Sequence, residues 1–341
     1  MKPFLELTQR GQISRLRSLA ENALAQYNVE VDGLKSLLHL ENTTFRVDSG
    51  EKRYVLRINR PGHRDRDQIR SEGMWLEAIS RDTDLVVPQP IRNRERNLVT
   101  TAGARGVPEE RNCILFHWVE GQFYRKRLSP VAFRRVGRLT AHLHEHARRF
   151  RPPDGFTRHD VQWGSEEEPG EMEQVLNQGV RDGAALIAPH DLATFTLARH
   201  YLRDKISAMS KDPWSYGLIH ADLHHGNCLF YDGRARAIDF DDCGWGHFLY
   251  DLAVTQWYLQ ARPDFMELRR AHLEGYREVR ELSPAEEAEL PTFMAARTLL
   301  MAVYMAGRTD NPELRDRAPQ FVARCAGALR DYLSQEGPEF V

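Results

Sequence analysis

The chain has 341 residues, of which 41% are hydrophobic and 28% are charged, a composition typical of soluble globular proteins. At roughly 150 residues per domain, this length predicts about two domains or lobes. The 47 lysines and arginines nearly balance the 49 aspartates and glutamates, and the net charge of -2 argues against a dedicated binder of nucleic acid or of anionic membranes.

Two segments and the cysteines indicate where the protein resides. Charged or polar side chains interrupt residues 1–7 every two or three positions, unlike the apolar run of a secretory signal. The most apolar stretch, residues 293–307, contains Arg297 and is shorter than the roughly 18 residues of a membrane span, so we predict a buried helix there. The four cysteines lack a Cys-x-x-Cys pair, which excludes a zinc ribbon and argues against a disulfide framework. We therefore expect a cytoplasmic protein without a membrane partner.

The first third of the sequence predicts a small sheet with one or two helices. Apolar residues at helical spacing indicate amphipathic helices, and β-prone runs on either side of a turn-forming segment indicate a hairpin. The predicted elements are a helix over residues 11–27, a hairpin of strands 43–47 and 54–58 around the turn 48–52, a helix near residues 69–79, and strands near residues 98–100 and 113–119.

After Gly121 the pattern is mostly helical, with one β-rich segment inside it. Helical spacing predicts helices around residues 136–147, 202–209 and 254–258. In contrast, the stretch from residue 217 to residue 241 contains strand and turn signals. A lone β-rich segment among helices indicates a functional reason for its presence.

This β-rich segment contains residues suited to phosphoryl chemistry. Asp232-Gly233 is a hairpin signal, and a loop of two or three residues there places Asn227 opposite position 238 or 239. Asn227 and Asp239 then lie within reach of a common point, and an amide oxygen beside a carboxylate suits a hard cation such as Mg²⁺. Asp222 precedes Asn227 by five residues and can accept the proton of a substrate hydroxyl that attacks a terminal phosphorus.

The order and spacing of these residues resemble the aminoglycoside phosphotransferase and choline kinase family. The segment from His220 to Asn227 resembles the family's His-Gly-Asp-x-x-x-x-Asn catalytic loop, and Ile238-Asp239-Phe240 resembles its Ile-Asp-Phe metal motif. Ala221 stands where the family commonly has glycine, which predicts a backbone there that is not in a glycine-only conformation. Among branches, the sequence looks most like the group with a bacterial stress-response Ser/Thr kinase and homoserine-kinase-like proteins.

The resemblance runs in order from about residue 35 to residue 255 and implies a fold. That fold is α+β and protein-kinase-like, with two lobes. We expect a small β-rich N-lobe over residues 1–118, which binds nucleotide. A larger, mainly helical C-lobe over residues 119–341 would contain the catalytic loop, the metal site and the acceptor pocket.

The resemblance also implies roles for individual residues. Asp222 would be the catalytic base, and Asn227 and Asp239 would be metal ligands, with ATP and Mg²⁺ as cofactors. Arg57 takes the place of a strand lysine that contacts the α- and β-phosphates and pairs with a helix glutamate. That glutamate is predicted to be Glu72, with Glu77, on a nearby helical turn, as the alternative.

Nucleotide contacts are implied in two further segments. Residues 41–45 take the place of the phosphate-covering loop without its glycines, and backbone N–H groups with the hydroxyls of Thr43 and Thr44 can hold phosphates. Residues 116–119 resemble the hinge that joins the lobes. The likeness implies that the His117 carbonyl and the Val119 amide bind the adenine edge.

Several nearby residues have a second interpretation. Arg57 could instead be an exposed strand cation with its stem packed on the sheet. Asp241 and Asp242 either face a substrate or cap the following turn. Asp251 is predicted to cap a helix or to brace the catalytic loop. His220 and its neighbouring histidines match no familiar metal-ligand spacing, so we expect His220 to brace the loop by hydrogen bonding.

The sequence as a whole predicts an enzyme that moves the γ-phosphate of ATP to a hydroxyl group. Eleven residues, 240–250, separate Asp239 from Asp251, which leaves no room for a long peptide-docking segment and favours a small-molecule acceptor. A Ser/Thr protein kinase is the alternative enzyme. A nucleotide-binding regulator without turnover is the third possibility, because Arg57 replaces the usual lysine. The sequence names neither the acceptor nor the oligomeric state.

Overall fold

The computed structural model of the protein describes residues 2–124, 128–161, 187–307 and 312–336. The chain forms two compact units. The first unit comprises Met1–Tyr124, Arg149–His159 and Asn227–Cys243, and the second comprises Arg125–Arg148, Asp160–Gly226 and Gly244–Val341. The predicted lobe boundary between residues 118 and 119 stays a prediction.

The helices of the described residues lie on both sides of the β-rich segment along the chain. In chain order they are α1 (Gln9–Leu24), α2 (Arg66–Asp82), α3 (Pro130–Arg149), α4 (Pro189–Ser207), α5 (Phe248–Trp257), α6 (Phe265–Arg277), α7 (Pro284–Ala288), α8 (Leu290–Gly307) and α9 (Pro312–Glu336), after a short 3₁₀ helix at Phe4–Glu6.

The strands form one large antiparallel sheet and two small ones. They are β1 (Gly33–His39), β2 (Thr43–Ser49), β3 (Lys52–Ile58), β4 (Pro90–Ile91), β5 (Thr100–Ala102), β6 (Arg111–His117), β7 (Tyr216–Ile219), β8 (Cys228–Tyr231), β9 (Arg234–Ala237) and β10 (Gly244–His247). The large sheet has the order β1-β2-β3-β6-β4, and β5 also pairs with β6. Strands β7 and β10 form one small sheet, and β8 and β9 form the other.

The predicted first helix is confirmed as α1, which packs against the large sheet. Thr8 caps its N-terminus, because the threonine hydroxyl accepts a hydrogen bond from the Gly11 amide. Leu19 and Tyr27 are fully buried and join Phe45 and Leu56 of the sheet in one hydrophobic core. Burial of each such side chain stabilises the fold by about 1.5 to 3 kcal/mol.

The predicted hairpin in the first third is confirmed, with longer strands than expected. Ser49 pairs with Lys52 at the tip of β2 and β3, and Gly50 supplies the positive φ of 56° that the tight turn requires. The neighbouring strand β1 was not predicted. Its residues are half-buried or exposed, as befits an edge strand, and so lack the alternating pattern of a strand with one buried face.

The second predicted helix is confirmed as α2. Asp65 and Gln68 form a capping box, in which each side chain accepts from the other residue's backbone N–H. A Cβ atom on Gly73 would lie 3.2 Å from Leu98, so the glycine lets the helix pack closely on the residues beneath it. Glu72, beside this glycine, is consequently 1% exposed.

The hairpin of the β-rich segment has the predicted register. Cys228 pairs with Ala237 and Tyr231 with Arg234, so paired positions sum to 465. Asp232 and Gly233 both have positive φ, at 46° and 72°, as a two-residue hairpin turn of this kind requires.

The second unit is mainly helical, as predicted. The expected apolar face of α3 is buried, and the helix crosses α6 at backbone contact through two glycines. A Cβ on Gly137 would lie 1.9 Å from the His272 carbonyl oxygen, and one on Gly275 would lie 1.9 Å from the Arg134 carbonyl oxygen. No larger residue fits at either position without moving a helix.

The apolar stretch near the C-terminal end of the chain is confirmed as a buried helix. It forms α8, which has 18 residues and is longer than the predicted run. Within the described residues, Pro284–Gly307 is the stretch that is long and apolar enough to cross a membrane by length and composition. Since 61% of its most apolar window is buried inside the protein, α8 fits the description of a core helix.

Candidate active site

Asp251 of α5 anchors the segment after β7, from His220 to Gly226, through hydrogen bonds to its backbone. The Asp251 carboxylate accepts hydrogen bonds from the His220 amide at 2.9 Å and the Ala221 amide at 2.7 Å. His144 of α3 completes the arrangement, with its Nε2 atom 3.1 Å from the same carboxylate. The helix cap residue is His247, so the bracing interpretation of Asp251 is the correct one.

Electrostatics agree with an ionised Asp251. The side chain is fully buried, and burial by itself raises a carboxyl pKa. The hydrogen bonds from the His144 ring and the His220 amide outweigh that effect, and the pKa of Asp251 lies below its ordinary value. The buried carboxylate is therefore a permanent anchor for the two amides above it.

Ala221 has a φ of 65°, in the left-handed region that favours glycine. An L-residue can adopt this region, at a cost of roughly 1 to 2 kcal/mol. The two hydrogen bonds to Asp251 flank this residue and offset the cost. The prediction that the backbone at Ala221 is not in a glycine-only conformation is therefore wrong. The backbone there adopts the left-handed conformation that the family's glycine favours.

His220 braces the segment, as predicted. Its Nδ1 atom accepts a hydrogen bond from the Asp222 amide at 3.3 Å, and its ring is fully buried. The predicted catalytic base, Asp222, follows directly and has a side chain that is 20% exposed. Asp222 is thus fixed through its own backbone while its carboxylate stays accessible.

The Asp222 carboxylate forms an ion pair that sequence reasoning missed. Arg297 of α8 donates from Nη2 to Asp222 Oδ1 and to the Tyr258 hydroxyl, the latter at 2.8 Å. Its Nη1 atom lies 3.3 Å from the Tyr250 hydroxyl. A signal for this contact was present, because an arginine in the most apolar helix of the chain requires a buried partner.

The second carboxylate oxygen of Asp222 faces a histidine. His224 Nε2 lies 3.5 Å from Asp222 Oδ2, and His224 Nδ1 accepts a hydrogen bond from the Gly226 amide at 2.9 Å. Burial, followed by the charge of Arg297, lowers the pKa of His224 to about 3. The ring is therefore neutral near pH 7, with its proton on Nε2.

In the first unit, Arg57 of β3 forms a buried ion pair with Glu72 of α2. Two hydrogen bonds of 2.9 and 2.5 Å join the guanidinium to the carboxylate, and Asn59 Oδ1 accepts a third at 3.0 Å. Arg57 is 4% exposed, so the interpretation as an exposed strand cation is wrong. Glu77 is also excluded as the partner, because it pairs with Arg92 at 2.6 Å.

Further carboxylates keep Arg57 charged. Burial alone lowers an arginine pKa, but the charges of Glu72, Asp241 and Asp239 outweigh it and raise the pKa of Arg57 above its ordinary value. Asp241 Oδ1 lies 3.6 Å from the Arg57 guanidinium. The predicted metal ligand Asp239 thus belongs to the same electrostatic neighbourhood as the Arg57–Glu72 pair.

The first two residues of β2 are the predicted phosphate-binding threonines. Thr43 is buried, and its hydroxyl lies 2.7 Å from His39 Nδ1. Thr44 stands opposite Arg57 in the β2–β3 register. Asn42, just before them, donates to Asp241 Oδ2 at 2.7 Å and so ties the start of β2 to the region after Asp239. The phosphate-binding role of both threonines stays a prediction.

The predicted adenine-binding residues lie at the end of β6. His117 is the last residue of the strand, and its amide donates to the Gln89 carbonyl at 2.8 Å. Val119 follows two residues later and is 8% exposed. No observation on the protein tests their contact with a nucleotide, so that role stays a prediction.

The residues predicted to bind Mg²⁺ lie at the base of the β8–β9 hairpin. The Asn227 carbonyl accepts from the Ile238 amide at 3.0 Å, directly before Asp239. Asp239 has a φ of 65°, a backbone conformation that non-glycine residues seldom adopt and that often marks functional sites.

The residues here also fit a hard cation. The donor set would consist of amide and carboxylate oxygens, which Mg²⁺ prefers. The nearby Asp241 Oδ1 is buried without a hydrogen-bond partner in the described residues. In addition, Asp241, Asp242 and His63 each offer an atom within 4.8 Å of the others.

A second residue that the sequence did not reveal is Arg158. Its buried guanidinium donates to three backbone carbonyls, those of Cys243 at 2.5 Å, Asp241 at 2.6 Å and Gln68 at 3.0 Å. It thereby joins the segment after Asp239 to helix α2. No motif predicts such a residue, because its partners are backbone atoms distant in the sequence.

The α+β architecture, together with the loop braced by Asp251 and a buried arginine–glutamate pair, defines a protein-kinase-like phosphotransferase. The family model described as "Phosphotransferase enzyme family" matches residues 35–290. The chain therefore belongs to the phosphotransferase enzyme family. This finding confirms the predicted resemblance and the prediction that the protein is an enzyme.

Relatives of known structure or name agree with this assignment. A solved structure of a microcompartment-associated aminopropanol kinase has 32% identity and a TM-score of 0.81, and the match covers 94% of this chain and 98% of that one. The amicoumacin kinase of Bacillus subtilis is 26% identical over 295 residues, 83% of this chain and 82% of that protein. The serine/threonine protein kinase RdoA of Salmonella typhimurium is 28% identical over 330 residues, 94% and 90% respectively. The predicted protein-kinase-like fold is confirmed.

Proposed function

We propose that the protein is a kinase that transfers the γ-phosphate of ATP to a hydroxyl group of a small molecule. The observation that carries the proposal is the catalytic loop, in which the backbone before Asp222 is fixed by the buried Asp251 while the Asp222 carboxylate stays partly exposed. Two relatives are by name kinases of small molecules, aminopropanol and amicoumacin, which supports an acceptor of this class.

Asp222 acts in this proposal as the general base. Its carboxylate accepts the proton of the acceptor hydroxyl while the hydroxyl oxygen attacks the γ-phosphorus and ADP leaves. The fixed position of the loop supports this role, because general-base catalysis requires the base within hydrogen-bond distance of the proton.

Arg57 acts on the nucleotide in place of the usual lysine. It keeps a positive charge in a buried position, and the Glu72 carboxylate fixes the orientation of its guanidinium. The planar guanidinium suits bidentate contacts with phosphate oxygens, whereas a lysine presents a single point charge. The segment that joins β1 to β2, with Thr43 and Thr44 at the start of β2, would cover the phosphates.

Mg²⁺ would be held by Asn227 and Asp239, with the Asp241 carboxylate nearby. When bound, it would supply positive charge that neutralises the β- and γ-phosphate oxygens as the bond to ADP breaks. Independently of that contribution, Asp222 would accept the proton. Arg57, oriented by Glu72, would contact the phosphates. The His117 carbonyl and the Val119 amide would bind the adenine edge.

A Ser/Thr protein kinase is the second candidate function. The name of the Salmonella relative, a serine/threonine protein kinase, favours it. Against it stands the short stretch between Asp239 and Asp251, which offers little chain for docking a peptide. A regulator that binds nucleotide without turnover is the third candidate, and the orderly Arg57–Glu72 pair weighs against it.

A screen of ATP consumption tests the proposal. Purified protein with Mg²⁺ and ATP would be offered amino alcohols, aminoglycosides, sugars, homoserine and a generic protein substrate. We expect acceptor-dependent ADP release with a small molecule, and its loss in Asp222→Asn. Phosphate transfer to protein alone would favour the second candidate, and tight Mg-ATP binding without any turnover would favour the regulator.

A further inference from the structure

Arg297 occupies an unusual position for a charged residue. It lies in α8, whose surrounding residues Phe293, Ala296 and Leu299 are buried, and its own side chain is 7% exposed. A buried cation is costly unless a carboxylate and hydrogen bonds compensate for its lost hydration. The groups that compensate Arg297 therefore indicate why it is there.

Those groups converge on the proposed catalytic base. Within the described residues, the carboxylate paired with Arg297 is that of Asp222, and the hydroxyls of Tyr250 and Tyr258 accept further hydrogen bonds. Burial raises the pKa of Tyr250 above its ordinary value, so this hydroxyl stays neutral. The positive charge of Arg297 is thus balanced by Asp222 rather than by the tyrosines.

Two histidines of the described residues, His220 and His224, lie beside Asp222. His224 is neutral near pH 7, as its pKa of about 3 shows. The Nδ1 atom of His220 accepts the Asp222 amide hydrogen, so that nitrogen has no proton. Arg297, whose pKa is raised well above the ordinary arginine value, is therefore the permanent cation beside the carboxylate.

The two oxygens of Asp222 consequently have different surroundings. Oδ1 accepts from the guanidinium of Arg297, whereas Oδ2 faces the Nε2–H of His224 at 3.5 Å. An oxygen that accepts a charge-assisted hydrogen bond is a weaker proton acceptor than its neighbour. Because of this asymmetry, Oδ2 is the better proton acceptor of the two oxygens.

We propose that Arg297 is a positioning residue for phosphoryl transfer, which holds Asp222 through Oδ1, keeps the carboxylate ionised and directs Oδ2 toward the acceptor. This inference rests on the proposed function. In the reaction, the acceptor O–H bond breaks and its proton passes to Oδ2. The acceptor oxygen then forms a bond to the γ-phosphorus, and the bond between that phosphorus and the β,γ-bridging oxygen breaks, so that ADP leaves with the electron pair.

Arg297→Gln tests the inference, because it removes the charge and keeps a polar side chain. We expect kcat to fall about 10- to 100-fold, the scale of a lost hydrogen bond between charged groups, while the KM for ATP changes little. Loss of the cation disfavours the carboxylate, so the acid limb of the kcat–pH profile should move to higher pH by about one to three units.

Two further variants separate positioning from simple structural support. Arg297→Lys keeps the charge without the planar guanidinium, so its acid limb should stay near that of the parent while kcat is partly lost. Arg280→Gln is the matched control, because the Arg280 side chain is also 7% exposed but its Nη1 atom lies 3.5 Å from Glu145 Oε1, its Nη2 atom donates to the Trp214 carbonyl and its guanidinium packs over Phe248. We expect this control to lower stability and to leave the acid limb unchanged.

The outcomes distinguish this inference from the proposed function. If Asp222→Asn abolishes turnover and Arg297→Gln keeps the parental kcat and acid limb, Arg297 has no positioning role and the proposed function stands. An equal shift of the acid limb in Arg280→Gln would also overturn the inference. If the parent transfers phosphate to no acceptor, or Asp222→Asn keeps full turnover, the proposed function and this inference both fail.

Discussion

Two buried arginine–carboxylate pairs, one in each compact unit, differ in a way that bears on their roles. The side chains of Arg57 and Glu72 are 5% and 1% exposed and are joined by two hydrogen bonds. The Arg297 side chain is as deeply buried, at 7%, but its partner Asp222 is 20% exposed. Burial on both sides makes the first pair a fixed element, whereas the second keeps its carboxylate accessible to a reactant.

The comparison shows how similar chemistry can serve two purposes. Under the proposed function, the carboxylate of the first pair positions the arginine, whose charge would contact phosphates. In the second pair the arginine would position the carboxylate, which would accept a proton. Disruption of either pair leaves an uncompensated buried group, but the functional loss should appear in different kinetic constants.

Asp222→Ala is expected to have the largest effect, because it removes the accessible carboxylate of the second pair. Turnover should fall by roughly 10²- to 10⁴-fold, the usual scale for a lost general base, while nucleotide binding is kept. Steady-state kinetics with the acceptor from the screen, together with calorimetric titration of Mg-ATP, measure the two quantities. Equal kcat in variant and parent would remove Asp222 from the mechanism.

Arg57→Met should have the next largest effect, on the first pair. The loss of a charge-assisted contact worth about 1.5 to 3 kcal/mol should raise the KM for ATP and lower kcat together. The variant also leaves Glu72 buried without its cation, so thermal unfolding must be measured beside the kinetics.

Arg57→Lys serves as the control for this prediction. It returns the charge without the bidentate geometry and should restore part of the activity. An arginine with a purely structural role would give both variants kinetic constants close to those of the parent once stability is accounted for.

Asp239→Asn should produce a smaller change, confined to the metal. A neutral amide supplies less charge to a hard cation, so Mg²⁺-dependent ATP affinity should weaken by about tenfold, which is 1.4 kcal/mol. Asp232→Asn is the matched comparison, because Asp232 is exposed in the turn at the other end of the same hairpin, away from Asp239. Calorimetry that gives the same magnesium-dependent affinity for parent and Asp239→Asn would contradict the prediction.

The first pair could be foreseen from sequence and the second could not. Arg57 and Glu72 occupy positions that the family motif and helical spacing indicate, so their pairing required only a choice between Glu72 and Glu77. Arg297 follows Asp222 by 75 residues, and no motif joins them. The sequence showed only a charge inside an apolar helix, which signals a partner without naming it.

The same distinction applies to the fold. Local signals such as the Asp232-Gly233 turn and the helical spacing of Ile69, Leu76 and Ile79 predicted elements that the structure confirms, with α2 extending a few residues beyond each end. Strand β1 depends on pairing with β2 rather than on its own pattern, and Arg158 depends on distant backbone carbonyls. Both are consequences of tertiary structure that no single segment encodes.

The smallest predicted effect concerns the pH dependence of stability and one buried histidine of the helical unit. Arg57 and Glu72 form a buried ion pair, whereas the helical unit buries His272, whose pKa is lowered to about 3 by burial and by the charges of His144 and Arg269. The folded protein keeps His272 neutral, but the unfolded chain takes up a proton there below about pH 6.5. Its contribution to stability is therefore complete above that pH and declines as the pH falls toward 3.

Urea unfolding at pH 7.5 and 5.5 measures this contribution. Between these values one neutral buried histidine should remove about 1.4 kcal/mol from the free energy of unfolding, and His272→Gln should remove that part of the pH dependence. His190→Gln is the control, because the side chain of His190 is 72% exposed and its loss should leave the pH dependence as it is. If His272→Gln and the parent lose the same free energy on acidification, His272 is already protonated in the folded protein or exposed to solvent. The interpretation of His272 as a neutral buried histidine would then be wrong.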